Sequence, residues 1–94
     1  MKARNKKYLE NMINQINRYQ DGSVTLRTMH ENLWELFEAI DGLNKDEEFC
    51  ALFHQYWDHI EEIIAIGKIN QYLHEINNTI VPHFKQKILE YLRG

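Results

Sequence analysis

The chain has 94 residues, 44% of them apolar and 27% charged, which suits one folded domain with a single modest core. One proline and four glycines are too few for a turn-rich β architecture, and a lone cysteine, Cys50, excludes an internal disulfide and suits a reducing compartment. The net charge of −3 runs against nucleic-acid binding, which needs clustered lysine and arginine to neutralise phosphates.

That charge is unevenly spread. Residues 1–27 hold six lysines and arginines against Glu10 and Asp21, a balance of +4. Residues 28–62 hold ten acids against Lys45 alone, a balance of −9. Residues 63–94 return to +2, with four basic groups against Glu75 and Glu90. An acidic middle of this kind points towards a basic partner. The N-terminal MKARNKK has no apolar run behind it, so no signal peptide is predicted. The longest aliphatic run, Ile63 to Ile66, is far short of a membrane span. The expected location is the cytoplasm, with no membrane partner.

In chain order, Leu9, Met12, Ile13 and Ile16 make an i, i+3, i+4, i+7 stripe that predicts a first helix over about 5–20. Asp21-Gly22 should stop it, because glycine readily takes the left-handed C′ conformation. A second helix is predicted over about 25–41, capped by Ser23 or Thr25. Leu26, Met29, Leu33, Phe37 and Ile40 form its inner face, with Leu36 and Trp34 at the edges. Glu31, Glu35 and Glu38 line its outer side, and Asp41-Gly42 repeats the stop.

The third helix, about 45–66, organises the rest. At about 100° per residue, Phe49, Phe53, Tyr56, Ile60 and Ile63 fall within about 80° of one another, with Leu52, Trp57 and Ile64 on the margins. Glu47, His54, Asp58 and Glu61 fall on the opposite side. Asn44 and Glu47 have the spacing of a capping box, and Asp46 to Glu48 complement the positive end of the helix dipole. The apolar phase flips at Ile66-Gly67-Lys68, which predicts a break.

Beyond it, Ile69, Tyr72, Leu73 and Ile76 start a new stripe over about 68–77. Asn77-Asn78-Thr79 interrupts it, and Pro82 disfavours helical geometry at Val81. A last helix over about 79–92 then turns Ile80, Phe84, Ile88 and Tyr91 inward; one kinked helix from Lys68 to Leu92 is the alternative. The predicted fold is a single all-α domain spanning 1–94. It is an antiparallel four-helix up-down bundle, five-helix if the C-terminal pair separates.

No catalytic constellation is present. His54 with Asp58 and His59 with Glu62 have spacings that could share a metal, but the Glu-x-x-His pairs of a di-metal bundle and His-Glu-x-x-His are both missing. His30 falls near the apolar stripe and reads as a boundary residue. Ser23 and Cys50 lack a nucleophile setting, and the isolated glycines build no phosphate loop. The expected protein is not an enzyme and carries no cofactor or metal.

What remains is a pair of acidic stripes on adjacent helices: Glu31, Glu35 and Glu38 on one, Glu47, Asp58 and Glu61 on the other. The i, i+4 ion pairs that would make them mere surface stabilisation are missing. Trp34, Trp57 and Tyr72 at the rims read either as interface anchors or as core filler. The residues expected to touch a partner are Glu31, Glu35, Glu38, Asp58 and Glu61.

The run Tyr19-Gln20-Asp21-Gly22-Ser23-Val24-Thr25-Leu26 resembles the helix–Asp-Gly–Ser/Thr–Leu junction of the small colicin D-type immunity proteins. The spacing Phe49, Phe53, Trp57, Ile60-Glu61, followed by an amphipathic C-terminal helix, is similar to the same family and to contact-dependent-inhibition immunity proteins. The likeness spans about residues 5–92. It implies a cytoplasmic antidote, monomeric when free, that binds a cognate nuclease toxin, commonly a tRNase, one to one. Such proteins occlude the toxin's active site by presenting acid where RNA phosphate would lie. Two other readings stay open: a different acidic inhibitor of a nucleic-acid enzyme, and a self-associating structural or regulatory bundle.

Overall fold

Four stretches of the chain repeat apolar residues at helical spacing, and each becomes a helical rod that buries that stripe. The computed structural model describes residues 3–40 and 46–94. Its elements are α1 (Ala3–Gln20), α2 (Leu26–Ala39), α3 (Glu47–Ala65), α4 (Ile69–Glu75), a π-helical turn (Ile76–Ile80) and α5 (Val81–Arg93). α1 packs on α2 and α5, and α3 packs on α2, α4, the π turn and α5. The result is the expected all-α bundle, with α4, the π turn and α5 forming its fourth rod. At 1.5 Å per residue that rod would run roughly 37 Å, close to the molecule's long axis of 39 Å.

The helix ends follow local chemistry. Gly22 and Gly67 both take positive φ, +86° and +69°. After α1, Ser23 N–H bonds Arg18 O and Gly22 N–H bonds Tyr19 O. After α3, Lys68 N–H bonds Ile63 O and Gly67 N–H bonds Ile64 O. Both are Schellman closures, which satisfy carbonyls that the helix itself leaves free. Of the two hydroxyls expected to cap α2, Thr25 does so: its Oγ1 accepts from Thr28 N–H at 3.2 Å. Ser23 instead donates its N–H and hydroxyl to Asp21.

Three expectations are corrected. α2 ends at Ala39 rather than 41, because Ile40 is already extended (φ −66°, ψ 130°); the Asp41-Gly42 stop lies outside the described residues. Asn44 lies outside them too, and the N-cap of α3 is Asp46, whose carboxylate accepts from Glu48 N–H at 2.8 Å. Its other oxygen accepts from Tyr91 Oη at 3.0 Å, pinning the start of α3 to the end of α5. Burial, and then this bond to a carboxylate, push the Tyr91 hydroxyl up to about 12, so it stays a donor at neutral pH.

The third correction concerns residues 76–81. No break occurs at Asn77-Asn78-Thr79, and Val81 is helical (φ −66°, ψ −46°), so the rod is continuous from Ile69 to Arg93: of the two expected arrangements, the single irregular helix forms and the separate pair does not. Pro82 has no N–H to donate, and in an α-helix its ring would press on the carbonyl four residues back. Widening to a π turn, in which Val81 N–H reaches Ile76 O, relieves that conflict without ending the helix. Asn78 Nδ2 donates to His74 O at 2.8 Å, and Tyr19 Oη donates to Asn77 Oδ1 at 2.6 Å. The interrupting asparagines therefore hold the wide turn and tie it to α1. The extra residue also absorbs the drift of about 40° per step that an i, i+4 row makes round an α-helix, so Ile76, Ile80, Phe84 and Ile88 all stay buried.

The core sits where the sequence stripes meet. Phe53 is fully buried at its centre, stacked on Phe37 at 4.1 Å and edge-on to Phe84 at 5.6 Å. Leu73 departs from its stripe and is 40% exposed, since α4 is short and rests chiefly on α3.

Candidate functional site

The packing of α2 against α3 leaves an open cleft of about 410 Å³, and the two acidic stripes reach it. Glu31 and Glu35 enter from α2 and Glu61 from α3. One wall is indole: Trp34 and Trp57 approach with ring centroids 4.7 Å apart. They are the chain's two tryptophans. Arg27, one turn before Glu31, is the only lysine or arginine among the described residues that lines it.

His30 organises this cleft. It is 6% exposed, and its ring stacks on Trp57 at 4.0 Å with an interplanar angle of 11°. Trp57 Nε1 donates to the His30 backbone carbonyl at 2.9 Å, so one α3 side chain holds both the ring and the backbone of this α2 residue. His30 Nε2 lies 3.0 Å from Glu61 Oε2. The contact is close but is not aligned as a hydrogen bond, which leaves Nε2 a buried polar atom without one. His30 is thus a core residue, against the expectation of a boundary one. An i, i+4 relation to Trp34 alone could not have shown this, because its partner Trp57 lies 27 residues away.

Burial pushes the His30 pKa below its ordinary value; the Glu61 carboxylate first, then the Trp57 backbone beside the imidazole and the Glu31 and Asp58 carboxylates, pull the other way and lose. A lowered folded-state pKa means that the unfolded chain binds the proton more tightly. His30 therefore adds stability that is full above its unfolded value of about 6.5 and fades as the pH falls from there through the folded pKa. The urea midpoint is expected to be lower at pH 5.5 than at pH 7.5, and His30→Gln should shrink that difference. A midpoint equal or higher at pH 5.5 would show His30 to be no source of acid sensitivity.

The structure treats the five expected partner residues unequally. Glu31, Glu35 and Glu61 share the cleft. Asp58, one turn before Glu61, pairs with His54 at 3.1 Å, although its charge still acts on His30. Glu38 is exposed, one turn beyond Glu35, and does not line the cleft. Among the described residues, none of the five lies within ion-pair distance of a lysine or arginine. Glu35 also borders a polar groove between α1 and α2, where Asn32 already donates to Gln15 at 2.9 Å.

Other candidate chemistry is not assembled. No group of three or more His, Cys, Asp or Glu side chains among the described residues could hold a metal ion. Cys50 is free and half-buried on the flank of α3. Among the described residues, no helix is long and apolar enough to cross a membrane. Fold and cleft together define an all-α bundle with an acidic, indole-walled cleft between its second and third helices. Comparison of the chain with protein-family models, with curated proteins and with solved structures gives no match.

Proposed function

We propose that this chain is a cytoplasmic immunity protein that binds a bacterial nuclease toxin, of the tRNase type, one to one. It neutralises the toxin by covering its basic active site with the acidic face of α2 and α3. The chain does no chemistry of its own, needs no cofactor, touches no nucleic acid directly and is monomeric until it meets its target. The observation that supports this reading is the convergence of Glu31, Glu35 and Glu61 on one cleft with, among the described residues, no lysine or arginine paired to them. A cleft built to grip RNA is lined with cations, so an unneutralised acidic surface is its electrostatic complement. Attraction of that kind speeds encounter and is screened by salt. Asp58 and Glu38 extend the field beyond the cleft.

Co-expression with the product of the adjacent reading frame tests the proposal. The expected result is a 1:1 complex in which that product's nuclease activity is lost. A neighbour with no nuclease activity, or one that ignores the chain, would count against immunity and in favour of a different acidic inhibitor. The exposure of Ile66 (54%) and Leu73 (40%) favours a second reading, a bundle that self-associates near the turn after α3. Sedimentation as a monomer at high concentration would rule against it.

A further inference from the structure

We propose that the α2–α3 cleft is a receptor for a single arginine side chain projecting from a basic protein partner; the nature of that partner rests on the inhibitor reading, the receptor does not. Three independent features converge. Among the described residues, the cleft carries three carboxylates against one arginine, Arg27, and none of the three is paired with a lysine or arginine. Its indole wall suits a flat, weakly hydrated cation better than a compact, strongly hydrated ammonium. His30 Nε2, buried and without an aligned hydrogen bond, faces Glu61 across the same cleft.

A buried polar atom left without a hydrogen bond is costly, and one supplied by a ligand recovers that loss on binding. In the free chain Nε2 lies 3.0 Å from a Glu61 oxygen, where a lone pair would face a lone pair; once a cation takes up Glu61, a neutral imidazole with its proton on Nδ1 can offer its Nε2 lone pair to that cation. A guanidinium carries five donors in a fixed fork, so it can bond Glu61 and His30 Nε2 with adjacent arms and Glu31 with a third. An ammonium, with three donors converging on one atom, cannot span these acceptors in one plane. Glu61, with its side chain 52% exposed, is free to swing as the guanidinium enters.

Because both tryptophans line the cleft, tryptophan emission reports its occupancy. The probe is a capped hexa-arginine peptide titrated into the full chain at low salt, with hexa-lysine as comparison. Hexa-arginine should give a saturable emission change, with hexa-lysine weaker by about tenfold or more. The Glu31→Gln, Glu61→Gln pair should weaken hexa-arginine by about tenfold or more, while Glu62→Gln with Glu75→Gln, which removes as much charge elsewhere, should shift it less than about twofold. Arg27→Gln should tighten binding. Equal affinity for the two peptides, equal loss in both variant pairs, or weaker binding by Arg27→Gln would each overturn the receptor. A chain that binds hexa-arginine this way yet inhibits no nuclease removes the inhibitor reading and leaves the receptor standing. Undiminished inhibition by the Glu31→Gln, Glu61→Gln pair does the reverse.

Discussion

Phe53→Ala is expected to destabilise the bundle by about 3–5 kcal/mol, among the largest losses of any single truncation at the described residues. Phe53 is fully buried and touches rings from every side: Phe37 stacked at 4.1 Å, Phe84 edge-on at 5.6 Å, Phe49 at 6.2 Å and Trp57 at 6.1 Å. These partners lie on α2, α3 and α5, so the void left behind would be walled by three elements and could not close by moving one of them. A domain of this size has roughly 5–15 kcal/mol in total, so the variant would sit near the limit of folding. Thermal melting followed by circular dichroism should show the midpoint falling by at least about 12 °C. A fall of only a few degrees would mean that the site collapses freely and that the aromatic cluster is not the structural centre.

Reversing the cleft's charge should have the largest functional effect. In the triple variant Glu31→Lys, Glu35→Lys, Glu61→Lys, each favourable contact with a basic partner becomes repulsive, and like-charge juxtaposition costs several kcal/mol. If the chain inhibits a nuclease as proposed, that inhibition is expected to weaken by roughly a thousandfold or more. All three side chains are exposed, so the bundle should keep its helix content. The control Glu10→Lys, Glu62→Lys, Glu75→Lys carries the same net charge but leaves the cleft intact. It should lose about tenfold or less, through long-range screening alone. Equal losses in the two triples would reduce the acidic face to a matter of net charge, and unchanged inhibition by the first would remove these residues from the interface. Asp58, already paired with His54, and Glu38, outside the cleft, should matter less.

The parts of this structure that were legible beforehand are those governed by periodicity. Leu26, Met29, Leu33, Phe37 and Ile40 were placed inward by spacing, and all are buried. The phase flip at Gly67 marked a break because the left-handed turn that follows α3 resets the direction of every later side chain. The π turn was not legible: Asn77-Asn78-Thr79 and Pro82 each argue against an α-helix, and a wider helix satisfies both objections while keeping the rod whole. The cleft was half legible. Its carboxylates follow from charge patterning along two helices, but the stacking of His30 on Trp57 depends on how α2 and α3 meet, which no local spacing encodes. A histidine on an apolar stripe, with a tryptophan on the margin of the next helix, was the only available signal.

Central to the proposal is that the acidic cleft between α2 and α3 is the surface that meets the partner. The most direct test is titration calorimetry of the purified chain against the product of the adjacent reading frame, inactivated if it proves to be a nuclease, at low and at physiological salt. The predicted result is one-to-one binding that weakens as salt rises and is abolished by the cleft reversal but not by the control reversal. Binding that ignores both salt and the cleft reversal would contradict it, as would the absence of any binding.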